Sequence, residues 1–215
     1  MGSLLKVQSL FPLSRSDLVS YGFVFSAYYL SAELGFYLYS TFETSPAAIW
    51  PPVGIALVSV IYGGYRMAIP IFLAQAAAFT MQPSGLSLIN TIISIGYTVQ
   101  AIAALYIMRR LHFVPQLYKL RNTLILAFVA FVVTAVEPTI ATLARMILGE
   151  VSVSPLVSIG RAWGAGIFSA LVITPFALTW YPWPTLSYSK REVVEVMAAF
   201  VLLLVTVYFL FWTPY

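Results

Sequence analysis

The stretch Ala47–Tyr65, AAIWPPVGIALVSVIYGGY, decides how the chain is read. Trp50, Pro51 and Pro52 open an apolar run that closes on Gly63 and Gly64. Consecutive prolines are poor inside a helix, because each removes a backbone donor and crowds the preceding turn. At a first turn they cost little, since those N–H groups have no helical partner. The spacing therefore predicts a membrane helix that starts at Trp50-Pro51-Pro52, with Trp50 at the lipid–water boundary.

Composition sets the same context for the whole chain. Its residues are 61% hydrophobic and 8% charged, and the mean hydropathy is +0.92. Soluble domains carry roughly a quarter charged residues. An all-α, polytopic membrane bundle is expected, with the lipid bilayer as its main partner. Cysteine is absent and His112 is the single histidine, which excludes disulfides, thiolate chemistry and His- or Cys-based metal sites. The N-terminus lacks the apolar stretch and cleavage site of a signal peptide.

A spanning helix needs about 20 mostly apolar residues. Seven stretches qualify: 17–42, 46–65, 67–81, 86–108, 122–148, 155–181 and 193–212. The third is short. With the N-terminus cytoplasmic, Lys6, Arg15, Arg66, Arg109, Arg110, Lys119, Arg121, Lys190 and Arg191 all fall inside, and the outer loops carry Glu43 and Glu150. This follows the positive-inside rule and explains the basic balance without nucleic acid. Localisation in a cytoplasmic (inner) membrane, multi-pass, is expected. Seven spans leave Tyr215 outside, and an eighth would bring the chain back.

Charges inside the hydrocarbon are expensive and point to function by default. Glu33, Glu137, Arg145 and Arg161 lie within spans. At about 1.5 Å per residue, Glu33, Glu137 and Arg161 lie about 13, 16 and 10 Å below the outer ends of their helices. A polar cluster of Arg161 with Glu33 or Glu137 follows, either sensing a ligand or ion or fixing helix packing. Arg145, one turn from a helix end, is expected to snorkel. Pro138 should kink the fifth span and Pro175 the sixth. Gly160 and Gly164 form a G-x-x-x-G step, which serves helix packing within the chain or a homodimer seam. Walker, zinc-protease and serine-hydrolase motifs are absent, so no catalytic residue, cofactor or metal is assigned.

The opening stretch, Trp50-Pro51-Pro52-Val53-Gly54-Ile55-Ala56-Leu57 followed by Gly64-Tyr65-Arg66, resembles the first type of bacterial membrane-associated sensor domain, which shows W-P-P-x-G-I-A-L and a G-[YR]-R turn. Ile71-Phe72-Leu73 resembles that family's apolar third helix. Gly96-Tyr97-Thr98-Val99-Gln100-Ala101 is similar to its G-N-T-L-E-A, Arg109-Arg110 to its paired basics, and Trp163 with Pro175 to its W-x-G-D…P segment. The likeness covers residues 17–212. Ala165-Gly166 stands where the family has G-D, and Gln100 replaces a family Glu. The resemblance implies about eight spans and a fused cytoplasmic histidine kinase, diguanylate cyclase or phosphodiesterase.

The sequence therefore predicts residues 1–215 to be a single integral membrane sensory domain, cut before a last helix and an output domain. It would receive a small ligand and pass the signal by helix rearrangement to an output domain in cis or trans, with a homodimer possible. Trp50, Pro51, Pro52 and Gly54 are the expected pocket frame. Glu33, Glu137 and Arg161 are its expected polar groups, and the resemblance adds Trp163. The start of the second helix could itself hold an anionic or carbonyl group; interfacial anchoring by Trp50 is the alternative. A small-solute transporter or its substrate-binding subunit is the rival reading, and a non-enzymatic role is expected in either case.

Overall fold

The computed structural model describes residues 15–41, 49–115, 117–150 and 154–180, with Val194, Glu195 and Ala198 beyond. The predicted span over 193–212 therefore lies almost entirely outside the described residues. Seven helices follow in order: α1 (Arg15–Thr41), α2 (Pro52–Gly63), α3 (Ala68–Thr80), α4 (Leu88–Arg110), α5 (Leu120–Val133), α6 (Val136–Leu148) and α7 (Pro155–Trp180). No strand occurs among the described residues. Among the described residues, three stretches are long and apolar enough to cross a membrane: Leu88–Arg110, Leu120–Leu148 and Pro155–Trp180.

The packing has the inverted polarity of a protein dissolved in lipid. Gln75, Ser94, Gln100, Asn122, Glu137, Ser169 and Thr174 are buried, while Phe23, Ile147 and Leu156 are 74%, 84% and 81% exposed. In water those apolar faces would cost free energy; against acyl chains they cost nothing, and buried polar groups then hold helices together. The chain is a helical membrane protein on these grounds.

The run that opened the reading forms the innermost helix. α2 packs against α1, α4 and α7, and Pro52, Val53, Gly54, Ala56, Leu57, Ser59 and Val60 are all buried. Pro51 has helical dihedrals, φ −53° and ψ −35°, so the prolines sit in the first turn, where no intrahelical donor is lost. The helix is shorter than the apolar run: it has 12 residues, about 18 Å of rise, against about 30 Å of hydrocarbon. Ile49 and Trp50 are apolar but precede it. Gly64, at φ 74°, ends α2 with its N–H on the Val60 carbonyl, and a 3-10 turn over Tyr65–Met67 leads into the 13-residue α3. α3 packs on α1 and α4.

Close approach is built at glycines. A Cβ on Gly54 would meet Ile173 Cβ at 2.5 Å and the Ser169 carbonyl oxygen at 2.9 Å. Ser169 Oγ accepts from the Gly54 N–H at 3.2 Å and donates to the Pro51 carbonyl at 3.3 Å. Thr174 Oγ1 adds a bond to the Gly54 carbonyl at 3.4 Å. This seam joins α2 to α7. By contrast, Gly160 and Gly164 have nothing within 4 Å of a built Cβ. The expected packing role of the G-x-x-x-G step within the chain is not formed among the described residues; α7 makes its close approaches further along, at Gly166 and Ser169.

Near Pro138 the span is interrupted by two residues, Thr134 and Ala135, which keep right-handed helical dihedrals. α5 stops at Val133 and α6 starts at Val136. Pro138 has no N–H to offer, and its ring crowds the carbonyl four residues back, at Thr134. Thr134 Oγ1 bonds the Ala130 carbonyl at 2.6 Å. The Glu137 N–H leaves its own helix and donates to Gln100 Oε1 on α4 at 3.3 Å. α7 runs through Pro175 as a single helix.

Candidate functional site

A cavity of about 320 Å³ opens among α1, α2, α3, α4, α6 and α7. Each helix contributes the same end. α1 gives Phe36 and Tyr39 from its C-terminal turns, and α3 gives Phe79 from its last turn. Trp50 comes from just before α2, Ile93 and Tyr97 from the first half of α4, and Val157 to Ala165 from the start of α7. Alternating helix directions make this one face of the bundle.

Glu137 is the buried acid of the cavity, at 5% exposure. The α5–α6 interruption points it there: as the second residue of α6, it follows the joint at Thr134–Ala135. Gly96 on α4 makes the room, since a Cβ at that position would meet Glu137 Cγ at 3.3 Å. Tyr97 lines the cavity together with Glu137. Glu137, Ala141 and Arg145 all line the cavity, because positions i, i+4 and i+8 run along one side of a helix. Leu143, Met146 and Ile147 on the other side are exposed.

Trp50 forms a wall of the cavity. Its ring stacks on Tyr97 with centroids 6.2 Å apart and meets Phe36 edge-on at 5.1 Å. Gly35 lets the indole in: a Cβ there would lie 2.7 Å from the ring. Trp50 Nε1 is buried with no hydrogen-bond partner among the described residues.

The structure brings together Trp50, Glu137 and Arg161, which all line the cavity. Glu137, Arg145 and Arg161 make no ion pair within 4.0 Å among the described residues. Depth along separate helices therefore identified a shared cavity but not a closed salt bridge. Glu33 lies elsewhere on α1, outside the cavity lining, and its Oε1 is buried without a hydrogen-bond partner among the described residues. Trp163 is outside the cavity lining, donating Nε1–H to the Phe131 carbonyl at 2.7 Å and packing on the Phe131 ring at 4.7 Å. Pro51, Pro52 and Gly54 form the α2–α7 seam. The N–H groups at the start of α2 are spoken for: Val53 donates to the Trp50 carbonyl, and Gly54 to Pro51 and Ser169. No amide of that turn is free to hold an anion.

Arg145 and Tyr97 are cavity residues that the sequence reading did not select. Arg145 lines the cavity from the last turn of α6. Its signal was present, two turns beyond Glu137 on one side of an otherwise apolar-faced helix. Tyr97 was visible only as part of the GYTVQA stretch. No cluster of His, Cys, Asp or Glu able to hold a metal occurs among the described residues.

Two charged contacts lie at the opposite end of the bundle, where a second, apolar pocket opens between Leu111 and the start of α5. Arg66 pairs with Asp17 across α1 and the 3-10 turn, and the Arg109 guanidinium lies 4.7 Å from the Tyr65 ring centre. No family model, curated protein or solved structure matches the chain.

Proposed function

We propose that the chain is a sensory domain of a cytoplasmic membrane, with its N-terminus cytoplasmic and its cavity facing the extracytoplasmic side. The observation that carries this reading is the cavity at the Trp50 end, which gathers a buried acid, two guanidinium groups and an aromatic wall. Every described lining residue belongs to the Trp50 end of the bundle, while the contacts Arg66–Asp17 and Arg109–Tyr65 lie at the other. A polar ligand site at that end suits reception of a signal. The resemblance of Trp50–Leu57 and Gly64–Arg66 to the first type of bacterial membrane-associated sensor domain supports the same reading. The interrupted α5–α6 span beside the cavity supplies an element whose halves can tilt when the site is filled. A ligand moves such an equilibrium only by its preference for one arrangement. The output is a cytoplasmic histidine kinase, diguanylate cyclase or phosphodiesterase, in cis or trans.

One feature favours a second reading. Discontinuous spans with a buried acid also serve secondary transport. Glu137→Gln and Trp50→Ala, expressed at wild-type membrane levels, separate the two. The sensory reading expects a severalfold change in cellular phosphotransfer or cyclic-dinucleotide level, with solute uptake unchanged. Unchanged signalling in both variants, with altered uptake of a small solute, overturns it in favour of transport.

A further inference from the structure

We infer that the cavity takes a small aromatic monocarboxylate, from the juxtaposition of Arg145, Arg161 and Glu137 beneath a ring wall of Phe36, Trp50 and Tyr97; this rests on the sensory reading of the cavity. Charge argues first. Two guanidinium groups and one carboxyl line the space, and none of the three is ion-paired among the described residues. Whether or not Glu137 is ionised, the site carries excess positive charge. Uncompensated charge at membrane depth is expensive, and a monoanion offsets it. Guanidinium forks match carboxylate oxygens in geometry, and Arg161 is exposed at the mouth, where an entering anion meets it first.

The walls define the rest of the ligand. Trp50 is clamped between Gly35 and Tyr97, so its indole is a fixed platform for a flat ring. Hydroxyl groups on the wall are few, chiefly Thr142 and Ser158 beside the tyrosines. A sugar would leave several of its own hydroxyls unpaired there, which is costly. The volume, about 320 Å³, is at the small end of ligand cavities and suits one or two rings.

Calorimetric titration of the protein in phosphatidylcholine nanodiscs tests this with phenylacetate, acetate and phenylethylamine as probes. Phenylacetate is expected to bind saturably, with acetate and phenylethylamine showing no saturable heat over the same range. Arg161→Ala should weaken phenylacetate at least about tenfold, as loss of a charge-assisted contact does. Glu137→Gln should tighten it, because a negative charge leaves the cavity. Absence of saturable phenylacetate binding to the wild type, or equal binding of phenylethylamine, overturns the inference. Affinity that falls in proportion to added phosphatidylglycerol also overturns it, since the anion held is then a lipid headgroup. The two readings fail separately. Signalling that responds to Glu137→Gln without phenylacetate binding leaves the sensor and removes the ligand class. Phenylacetate binding with unchanged signalling does the reverse.

Discussion

Gly54→Ala tests whether the α2–α7 seam holds the bundle together. The added Cβ would lie 2.5 Å from Ile173 Cβ and 2.9 Å from the Ser169 carbonyl oxygen. Neither is the far end of a flexible side chain, so α7 must move. Forcing a methyl into a packed interior costs about 1–3 kcal/mol. The same movement stretches the Gly54 N–H to Ser169 Oγ bond, already 3.2 Å, and weakening one such bond in a membrane protein adds about 0.6 kcal/mol. The expected loss is therefore about 1.5–3.5 kcal/mol, read as reversible unfolding in mixed micelles by steric trapping. Gly164→Ala is the matched control. A Cβ there meets nothing within 4 Å, and its stability should equal wild type or exceed it by up to about 1 kcal/mol, alanine's helix preference over glycine. Ile173→Ala should not rescue Gly54→Ala, because the clashing Ile173 Cβ remains. Ile173→Gly should rescue part of it, less the helix penalty of about 1 kcal/mol for glycine. Equal stabilities for Gly54→Ala and Gly164→Ala refute the reasoning.

Three further outcomes follow from the interior. Tyr28→Phe removes the hydroxyl that donates to Gln75 Oε1 at 2.9 Å, and Gln75 Nε2 already lacks a partner; the variant should lose about 1–3 kcal/mol in the same unfolding assay, and Tyr28→Phe with Gln75→Leu should lose less than Tyr28→Phe alone. Trp163→Phe keeps the ring contact with Phe131 and deletes the 2.7 Å bond to its carbonyl, so a loss of about 0.5–1.5 kcal/mol is expected, and no loss would mean the indole N–H is replaced by water or lipid. Arg66→Met breaks the pair with Asp17, whose side chains are 38% and 16% exposed; at that exposure the cost should be about 1 kcal/mol or less and should shrink in high salt, and a salt-independent loss counts against the ion pair.

Much of the fold was legible because membrane helices announce themselves by length. The first six expected spans, from 17–42 to 155–181, correspond to α1, α2, α3, α4, the α5–α6 pair and α7. The start of α2 at its prolines and the interruption before Pro138 were also readable, since both follow from a missing N–H. The length of α2 was not, because apolar counting includes Ile49 and Trp50, which precede the helix. The site was half legible. Rise per residue put Glu137 and Arg161 at similar depth, and they do share a cavity. Depth carries no azimuth, so Glu33 at similar depth turned out to lie elsewhere on α1. Gly54 and the Gly160–Gly164 step show the same limit. A glycine reports that something can come close, and only the neighbouring helix decides whether it does.

The joint at Thr134–Ala135 divides one membrane crossing between two supports. α6 leans on α4 and α7, and the buried amide of its second residue, Glu137, is held by Gln100, a side chain of α4. α5 leans on α4 and α7 from below that point. The crossing is thus two short rods with a splint across the joint rather than one continuous beam. Load placed on the upper rod passes sideways into α4 through Gln100 before it can travel down its own chain. A strain gauge for this molecule belongs on the 100–137 pair: shortening that side-chain strut with Gln100→Asn should slacken the joint while leaving both rods helical.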